Sequence, residues 1–385
     1  MVSPADRTSG LVVVRATAEQ TQLALVQRYD PSGPLTSEQH IYRATVLGNE
    51  PYARDGRQCY WVLVPEDDVT TIGFLSSVAT IKRTVVVGSS PSGQSRDKAA
   101  YSITHVFTPP HFRHRGYASA MMSLLHVHLS ALVDELHDKH GPAILSFLYS
   151  GVGTFYSRCG PPGWHIQSSR ETYWKVSDLL SSQSAGVPSG ELHPRPSPIR
   201  EDSFASLAQL DADLLRSEVA NHFSPAFAVL TTGDEFSWLV ARSKFYGRIL
   251  SSDRPPPQYW GTVLDEPDEA PSEPAHTIDI ARGSTLTYAV WFFDYAKKEL
   301  HFLRIRCPLD QPWRFEIILR EAATAAAEQG CERILAWNVD EKLLDCTAKI
   351  EGTITRNRTK NLAAVAWYGE GECPVWLASQ KYGWC

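Results

Sequence analysis

The feature that most constrains this chain is a short loop, Arg113-His114-Arg115-Gly116-Tyr117-Ala118, set between two segments of opposite periodicity. Before it, Tyr101 to Phe107 reads as a β-strand, ended by Pro109-Pro110. After it, Ala118, Met121, Met122, Leu125, Leu129, Leu132 and Leu136 recur at three- and four-residue steps, which predicts a helix with one buried face reaching to about His140. A glycine and a small residue where a strand hands over to a helix let the backbone turn tightly and aim free amides outward at the positive end of the helix dipole. That arrangement cradles a pyrophosphate. Arg113, His114 and Arg115 add donors on the same turn, and a guanidinium fork can hold two phosphate oxygens at once. A second strand, Ala143 to Tyr149, completes a βαβ unit, and the aromatic pair Phe155-Tyr156 follows.

These residues carry a family resemblance. The loop, its flanking strand and helix, and Phe155-Tyr156-Ser157-Arg158-Cys159-Gly160 resemble the acetyl-CoA-binding motifs of the GNAT N-acetyltransferases. Val106-Phe107-Thr108-Pro109-Pro110 with Arg113 to Ala118, then Leu148-Tyr149-Ser150 and Phe155-Tyr156, is similar to the fungal lysine N6-acetyltransferase-like group. The resemblance implies an α/β (α+β) GNAT fold, a mixed central sheet flanked by helices. It also implies acetyl-CoA as co-substrate, held by Val106, Phe107, Thr108, Arg113, His114, Arg115, Gly116, Tyr117, Ala118, Ser119 and Phe155, and a small amine acceptor, L-lysine.

The rest of the chain fits that frame. Leu11 to Thr17 reads as a buried strand, with Thr17 able to cap a helix from Ala18, and a second helix runs from about Ser37 to Leu47. Cys59 to Val64 and Gly73 to Gly88 alternate as antiparallel strands do, and Ser89 to Asp97 reads as a polar loop. The resulting order, β-α-α-β-β-β-α-β-α-β through about Val176, is the GNAT order. Ser181 to Pro198, rich in Ser, Gly and Pro, reads as a linker between a catalytic domain (1–180) and a second globular unit (199–385). In that unit Leu207 to Leu215 marks a helix. Trp291-Phe292-Phe293 with Leu300 to Arg306 reads as a hairpin, and Phe315 to Gln329 as a helix leading into the strand Arg333 to Trp337. This repeats the GNAT core without its cradle, because Cys307-Pro308-Leu309-Asp310-Gln311-Pro312-Trp313 contains no glycine. The second unit is therefore expected to be a degenerate GNAT-like domain that closes the acceptor side, with Trp238, Phe245-Tyr246, Trp291-Phe292-Phe293 and Tyr382-Gly383-Trp384-Cys385 as interface candidates. A fragment ending near Leu180 is expected to bind acetyl-CoA but lose lysine acetylation. The acidic stretch from Asp265 to Glu273 reads as a solvated hairpin tip.

Composition narrows the function classes. With 385 residues, 43% apolar and 21% charged, the chain can bury a large core. No apolar run is long enough to span a bilayer, no leader pattern opens the chain, and seven scattered cysteines suit a reducing compartment, so a cytoplasmic protein is expected. A net charge of -6 without a basic, aromatic-interleaved tract points away from nucleic acid, and no metal-ligand spacing occurs.

Acetyl transfer from a thioester to an amine needs a neutral amine, a polarised carbonyl and a proton for the departing thiolate. A lysine ε-amine is neutral in only about one molecule in a few thousand at pH 7, so a base or water chain must act. The resemblance gives carbonyl polarisation to a backbone N–H at or beside Val106 and the proton to Tyr156; the bland alternative for Tyr156 is packing beside Phe155. By strand parity Ser102, Thr104 and Val106 share one face and His105 the other. Either Ser102 and Thr104 hold a water relay or a carboxylate from the second unit acts as base, while His105, the other candidate base, reads by parity as a core histidine and His126, His128, His137 and His140 as surface residues. A polyamine or secondary-metabolite amine as acceptor, or a coenzyme-binding protein without turnover, are the competing readings.

Overall fold

The computed structural model of this protein describes residues 9–89, 93–131, 142–182, 194–266 and 286–384. The first half runs β1 (Leu11–Arg15), α1 (Ala18–Gln27), α2 (Ser37–Gly48), β2 (Gln58–Pro65), β3 (Ser76–Ser89), β4 (Gln94–Phe107), α3 (Tyr117–Ala131) and β5 (Leu145–Ser150). A 3-10 turn (Phe155–Arg158), β6 (His165–Ile166), β7 (Arg170–Lys175) and α4 (Val176–Ser181) follow. The second half runs β8 (Arg195–Pro198), α5 (Phe204–Ala220), β9 (Ala226–Val229), α6 (Asp234–Leu250), β10 (Gly261–Asp265), β11 (Tyr288–Asp294) and β12 (Glu299–Arg306). It ends with α7 (Arg314–Glu328), β13 (Arg333–Trp337), α8 (Glu341–Thr347), β14 (Ile354–Asn357), β15 (Leu362–Trp367) and β16 (Val375–Trp376).

Local chemistry explains the element starts. Thr17 and Thr36 each accept from the backbone N–H of a glutamine three residues on, whose side chain reaches back to the threonine's own N–H, so α1 and α2 both open on capping boxes. Three expectations change. The segment to Asp97 is not a loop throughout, because β4 begins at Gln94 and pairs with β3 down to Ser89. The tail of the expected linker, Arg195–Pro198, is an edge strand on β10, a position where proline's missing N–H costs no ladder bond. Asp265 closes β10 and Glu266 pairs with Arg314, while the rest of the acidic stretch, like His137 and His140, lies outside the described residues.

Two mixed sheets form, ordered β1-β2-β3-β4-β5-β15-β6 and β14-β7-β13-β12-β11-β10-β8. The outer half of β3 also pairs with β9, which carries β16. Gly88 is required there, since a Cβ would lie 2.6 Å from the Val219 carbonyl of α5. The sheets do not divide where the chain divides. β15, from the second half, pairs antiparallel with β5 from Leu362↔Ser150 to Trp367↔Leu145, and β6 pairs on its far side. β7, from the first half, pairs with β13 and β14 in the other sheet.

The core follows this exchange. Met121, Met122, Leu125 and Leu129 of α3 are fully buried, in one cluster with Leu148 of β5, Trp164, and Ala364 and Ala366 of β15. At about 1.5–3 kcal/mol per side chain, that stripe is worth roughly as much as the whole net stability of a domain. Without β15 the stripe loses part of its floor and β5 becomes an edge. A fragment ending near Leu180 is accordingly expected to aggregate or lack cooperative unfolding, rather than to bind acetyl-CoA as the sequence suggested. A sharp melting transition in the isolated fragment would contradict this.

His126 corrects another expectation. It is not a surface residue but 3% exposed, its ring stacked on Trp164 at 3.8 Å. Its Nε2–H donates to the Cys159 carbonyl at 2.9 Å, and Nδ1 accepts from the hydroxyl of Tyr368, just beyond β15, at 3.0 Å. Burial pushes its pKa down to about 4, with the Cys159 carbonyl opposing. The unfolded chain therefore binds the proton first as pH falls through 6.5. The contribution is complete above that pH and shrinks by about 2 kcal/mol by pH 5. Urea unfolding of the wild type should weaken more between pH 7 and 5 than that of His126→Gln; equal slopes would refute the assignment.

Candidate active site

β4 and β5 are parallel and paired from Ala100↔Leu145 to Ile103↔Leu148, and no further. On its other side β4 shifts register against β3: Ala79 faces Thr104 and Ser77 faces Phe107, so Val78 faces both His105 and Val106. This is a β-bulge, with His105 at φ 59°. The strands part there, leaving a cavity lined by Ile103, Thr104, His105, Val106, Leu148, Tyr149, Tyr156 and Trp384. The bulge breaks the alternation on which the parity assignment rested. His105 is not sealed in the core but reaches this cavity beside Thr104, its ring stacked on Tyr60 at 6.5 Å between centroids. Ser102, expected to share Thr104's role, is 1% exposed and does not line the cavity.

The expected cradle lies between the end of β4 and the start of α3. Gly116 sits at φ 87° and His114 at φ 63°, conformations that turn the loop sharply into α3. The first helical bond runs from the Ala120 N–H to the Gly116 carbonyl, so the amides of Tyr117, Ala118 and Ser119 have no carbonyl partner within the helix. Arg113 folds back, its Nε–H donating to the Thr108 carbonyl at 3.1 Å with its guanidinium over Phe107. Arg115 lies over Phe112. Ser76 fastens the approach, its hydroxyl donating to the Phe107 carbonyl at 2.9 Å and meeting the Thr108 hydroxyl at 3.1 Å. The Ser119 hydroxyl accepts from the Cys159 thiol at 3.7 Å. Phe155 packs edge-on to Tyr156 at 5.0 Å. These contacts stiffen the loop and leave amides for an anion; the expected cofactor residues are thus brought together in one loop, strand end and turn.

Electrostatics separate the titratable groups in the cavity. Burial, with the Cys159 thiol nearby, pushes the Tyr156 phenol up to about 12, so it keeps its proton at neutral pH. His105 faces open space on the cavity side and is enclosed on the others. That enclosure, with Arg28, Arg43 and His40 close by, holds it well below 6.5 and so neutral. One cavity therefore joins a hydroxyl that can only give a proton with an imidazole that can only take one. His105, the less favoured base in the sequence, and Trp384, expected only at the interface, both line the cavity. The bulge has no sequence signal beyond the unpaired count it creates, and Trp384 lies far along the chain.

The second sheet repeats the parting and then fills it. β12 and β13 are parallel and paired only from Glu299↔Arg333 to His301↔Leu335. Beyond that, the Gln380 side chain accepts from the Ile305 N–H at 2.7 Å and donates to the Ile305 carbonyl at 3.2 Å, imitating a strand. Asn338 holds Ser379 beside it, donating to its carbonyl at 2.6 Å, and Tyr382 is buried with its hydroxyl on the Val229 carbonyl at 2.8 Å. The segment that plugs the second gap thus delivers Trp384 to the first.

Residues 180–385, just over half of the chain, match the family described as the LYC1 GNAT-like C-terminal domain. The chain belongs to this LYC1-like GNAT family. Among solved structures, a conserved protein of unknown function from Enterococcus faecalis, described as a probable N-acyltransferase, is similar over 92% of this chain and 72% of its own at 10% identity and a TM-score of 0.52, which shows the fold. A GCN5-related N-acetyltransferase from Kribbella flavida covers 92% of this chain and 70% of its own at 13% identity with a TM-score of 0.49. No curated protein matches. The LYC1-like chain is a GNAT-type N-acetyltransferase with two mixed sheets, the second of them lacking a cradle.

A second hollow of about 400 Å³ lies among Leu179, Glu316, Arg320, Cys346 and Lys349. Its thiol is engaged with the Leu343 and Pro312 carbonyls, and burial pushes it up to about 11, so it is no nucleophile. Among the described residues no helix is long and apolar enough to cross a membrane, and no group of three or more His, Cys, Asp or Glu could hold a metal ion.

The cradle makes a direct prediction. A β-branched residue at φ 87° is strained and obstructs the amides, so Gly116→Val is expected to abolish acetyl-CoA binding in calorimetry. Unchanged affinity in a folded variant would remove the loop from the binding site.

Proposed function

We propose that the protein is an acetyl-CoA-dependent N-acetyltransferase acting on the ε-amine of free L-lysine, a step in lysine breakdown in the cytoplasm. One observation carries the reading: Val106, Tyr156 and His105 line one cavity, and a phosphate-type cradle follows the same strand at the start of α3. Acetyl-CoA supplies the acetyl group as a thioester. The amides of Tyr117, Ala118 and Ser119 hold its pyrophosphate, and the N–H at Val106 polarises the carbonyl. The incoming lysine amine loses a proton towards His105, directly or through water held by Thr104, and Tyr156 gives one to the departing thiolate. The cations around His105 assist, since nearby like charge favours the neutral form of the amine. The same cations disfavour a polyamine, which brings positive charge and nothing to neutralise them. The second half closes the acceptor side through Trp384.

Release of free CoA should require acetyl-CoA and lysine together. Tyr156→Phe should lower that turnover roughly a hundredfold with coenzyme affinity nearly intact. Wild-type turnover in this variant would reduce Tyr156 to packing, and CoA release independent of any amine would overturn the transfer reading.

A further inference from the structure

We infer that Arg28 and Arg43, neighbouring cations beside the cavity-lining His105, are the receptor for the acceptor's carboxylate and select amino acids over simple amines. This deepens the reading above and rests on it for the acceptor's orientation. Arg28 caps the end of α1 and Arg43 lies on α2, so the two helices converge their guanidiniums on His105. Neither has a carboxylate partner among the described residues. Arg43 donates to the Tyr246 hydroxyl and approaches His40 Nδ1 at 3.4 Å. Arg28 lies over the Tyr60 ring at 5.9 Å, with Nε and Nη1 shut off from solvent and without any hydrogen-bond partner.

An uncompensated pair of this kind is costly. Burial lowers the Arg28 pKa and Arg43 lowers it further, opposed only in part by the Tyr60 hydroxyl, so the protein keeps two like charges together at the expense of stability. By contrast, the buried Arg304 and Arg306 share Asp211, at 3.0 and 2.7 Å. At the cavity the missing anion is one that arrives with the acceptor, and two guanidiniums suit a planar carboxylate. The groups acting on His105 are Arg28 from the end of α1, and His40 and Arg43 from α2; its stacking partner Tyr60 comes from β2. Burial is the main cause that holds His105 down; a carboxylate placed between the arginines would cancel the further part due to their charge, and so make it a better base when the right acceptor is bound.

The test compares L-lysine with 1,5-diaminopentane, which is lysine without its carboxylate, in the wild type, Arg28→Met and Arg43→Met. Loss of a charge-assisted contact predicts that each variant raises the KM for lysine about ten- to a hundredfold, with an unchanged or lower KM for the diamine and a melting temperature equal to or above the wild type's. The acidic limb of kcat should also lie at higher pH than that of kcat/KM with lysine, and not with the diamine. Parallel losses for both amines with a lowered melting temperature would make the arginines structural, and an unchanged preference for lysine would overturn the proposal. Should Arg28→Met not fold, Arg28→Lys keeps the charge without the fork: an intermediate preference is expected, and a wild-type preference contradicts the receptor. If the wild type acetylates neither amine, the transfer reading fails by itself. Calorimetric binding of lysine then decides the receptor, lost in the arginine variants if it is right and retained if it is wrong.

Discussion

Everything the first half can do chemically depends on β4 and β5 parting after Ile103 and Leu148. Parallel strands that separate leave N–H and C=O groups without partners, an arrangement that persists only if something else satisfies them. The bulge at His105 and Val106 drives the separation from within β4, because an extra residue bends the strand and increases its twist. The molecule solves the same problem twice, with opposite outcomes. In the second sheet the Gln380 amide fills the gap as a false strand, which leaves no room for a coenzyme arm. In the first, the gap stays open as a cavity lined by His105, Val106 and Tyr156.

The two halves are bound to one another by exchange rather than by docking. β15 completes the first sheet, β7 the second, and the chain between Ser379 and Trp384 runs from one gap to the other. The polar chain His126–Tyr368–Ser146, with Trp164 donating to Ser146 at 3.0 Å, fastens α3 and β5 to the residue after β15. Charge is distributed with the same division of labour. Asp211, although burial opposes it, is held well below the usual carboxylate range by Arg304 and Arg306, a closed structural set. The cations around His105 are left open.

What the sequence made legible was what is encoded locally. The motif strand, the Gly116 turn, the α3 stripe and β5 each follow from residues adjacent in the chain, and the family resemblance rests on the same stretch. The second half's βαβ unit, β12-α7-β13, and its missing cradle were legible for the same reason. The exchange of β7 and β15 was not, because pairing Leu362 with Ser150 or Arg333 with Lys175 leaves no mark in either strand's own pattern. His105 was misjudged because parity holds only along an unbroken strand, and one bulge inverts every assignment beyond it. His126 was misjudged because its helical position was read without the partner, Tyr368, that arrives 242 residues later.

Hydrogen–deuterium exchange with and without acetyl-CoA tests the central claim most directly, since it reports each gap separately. The account predicts new protection at the Gly116–Ala120 turn and along 103–108 and 145–150, with none along 302–307 of β12 and its continuation. Protection of the β12 gap, or no change at the first gap under saturating acetyl-CoA, would contradict it.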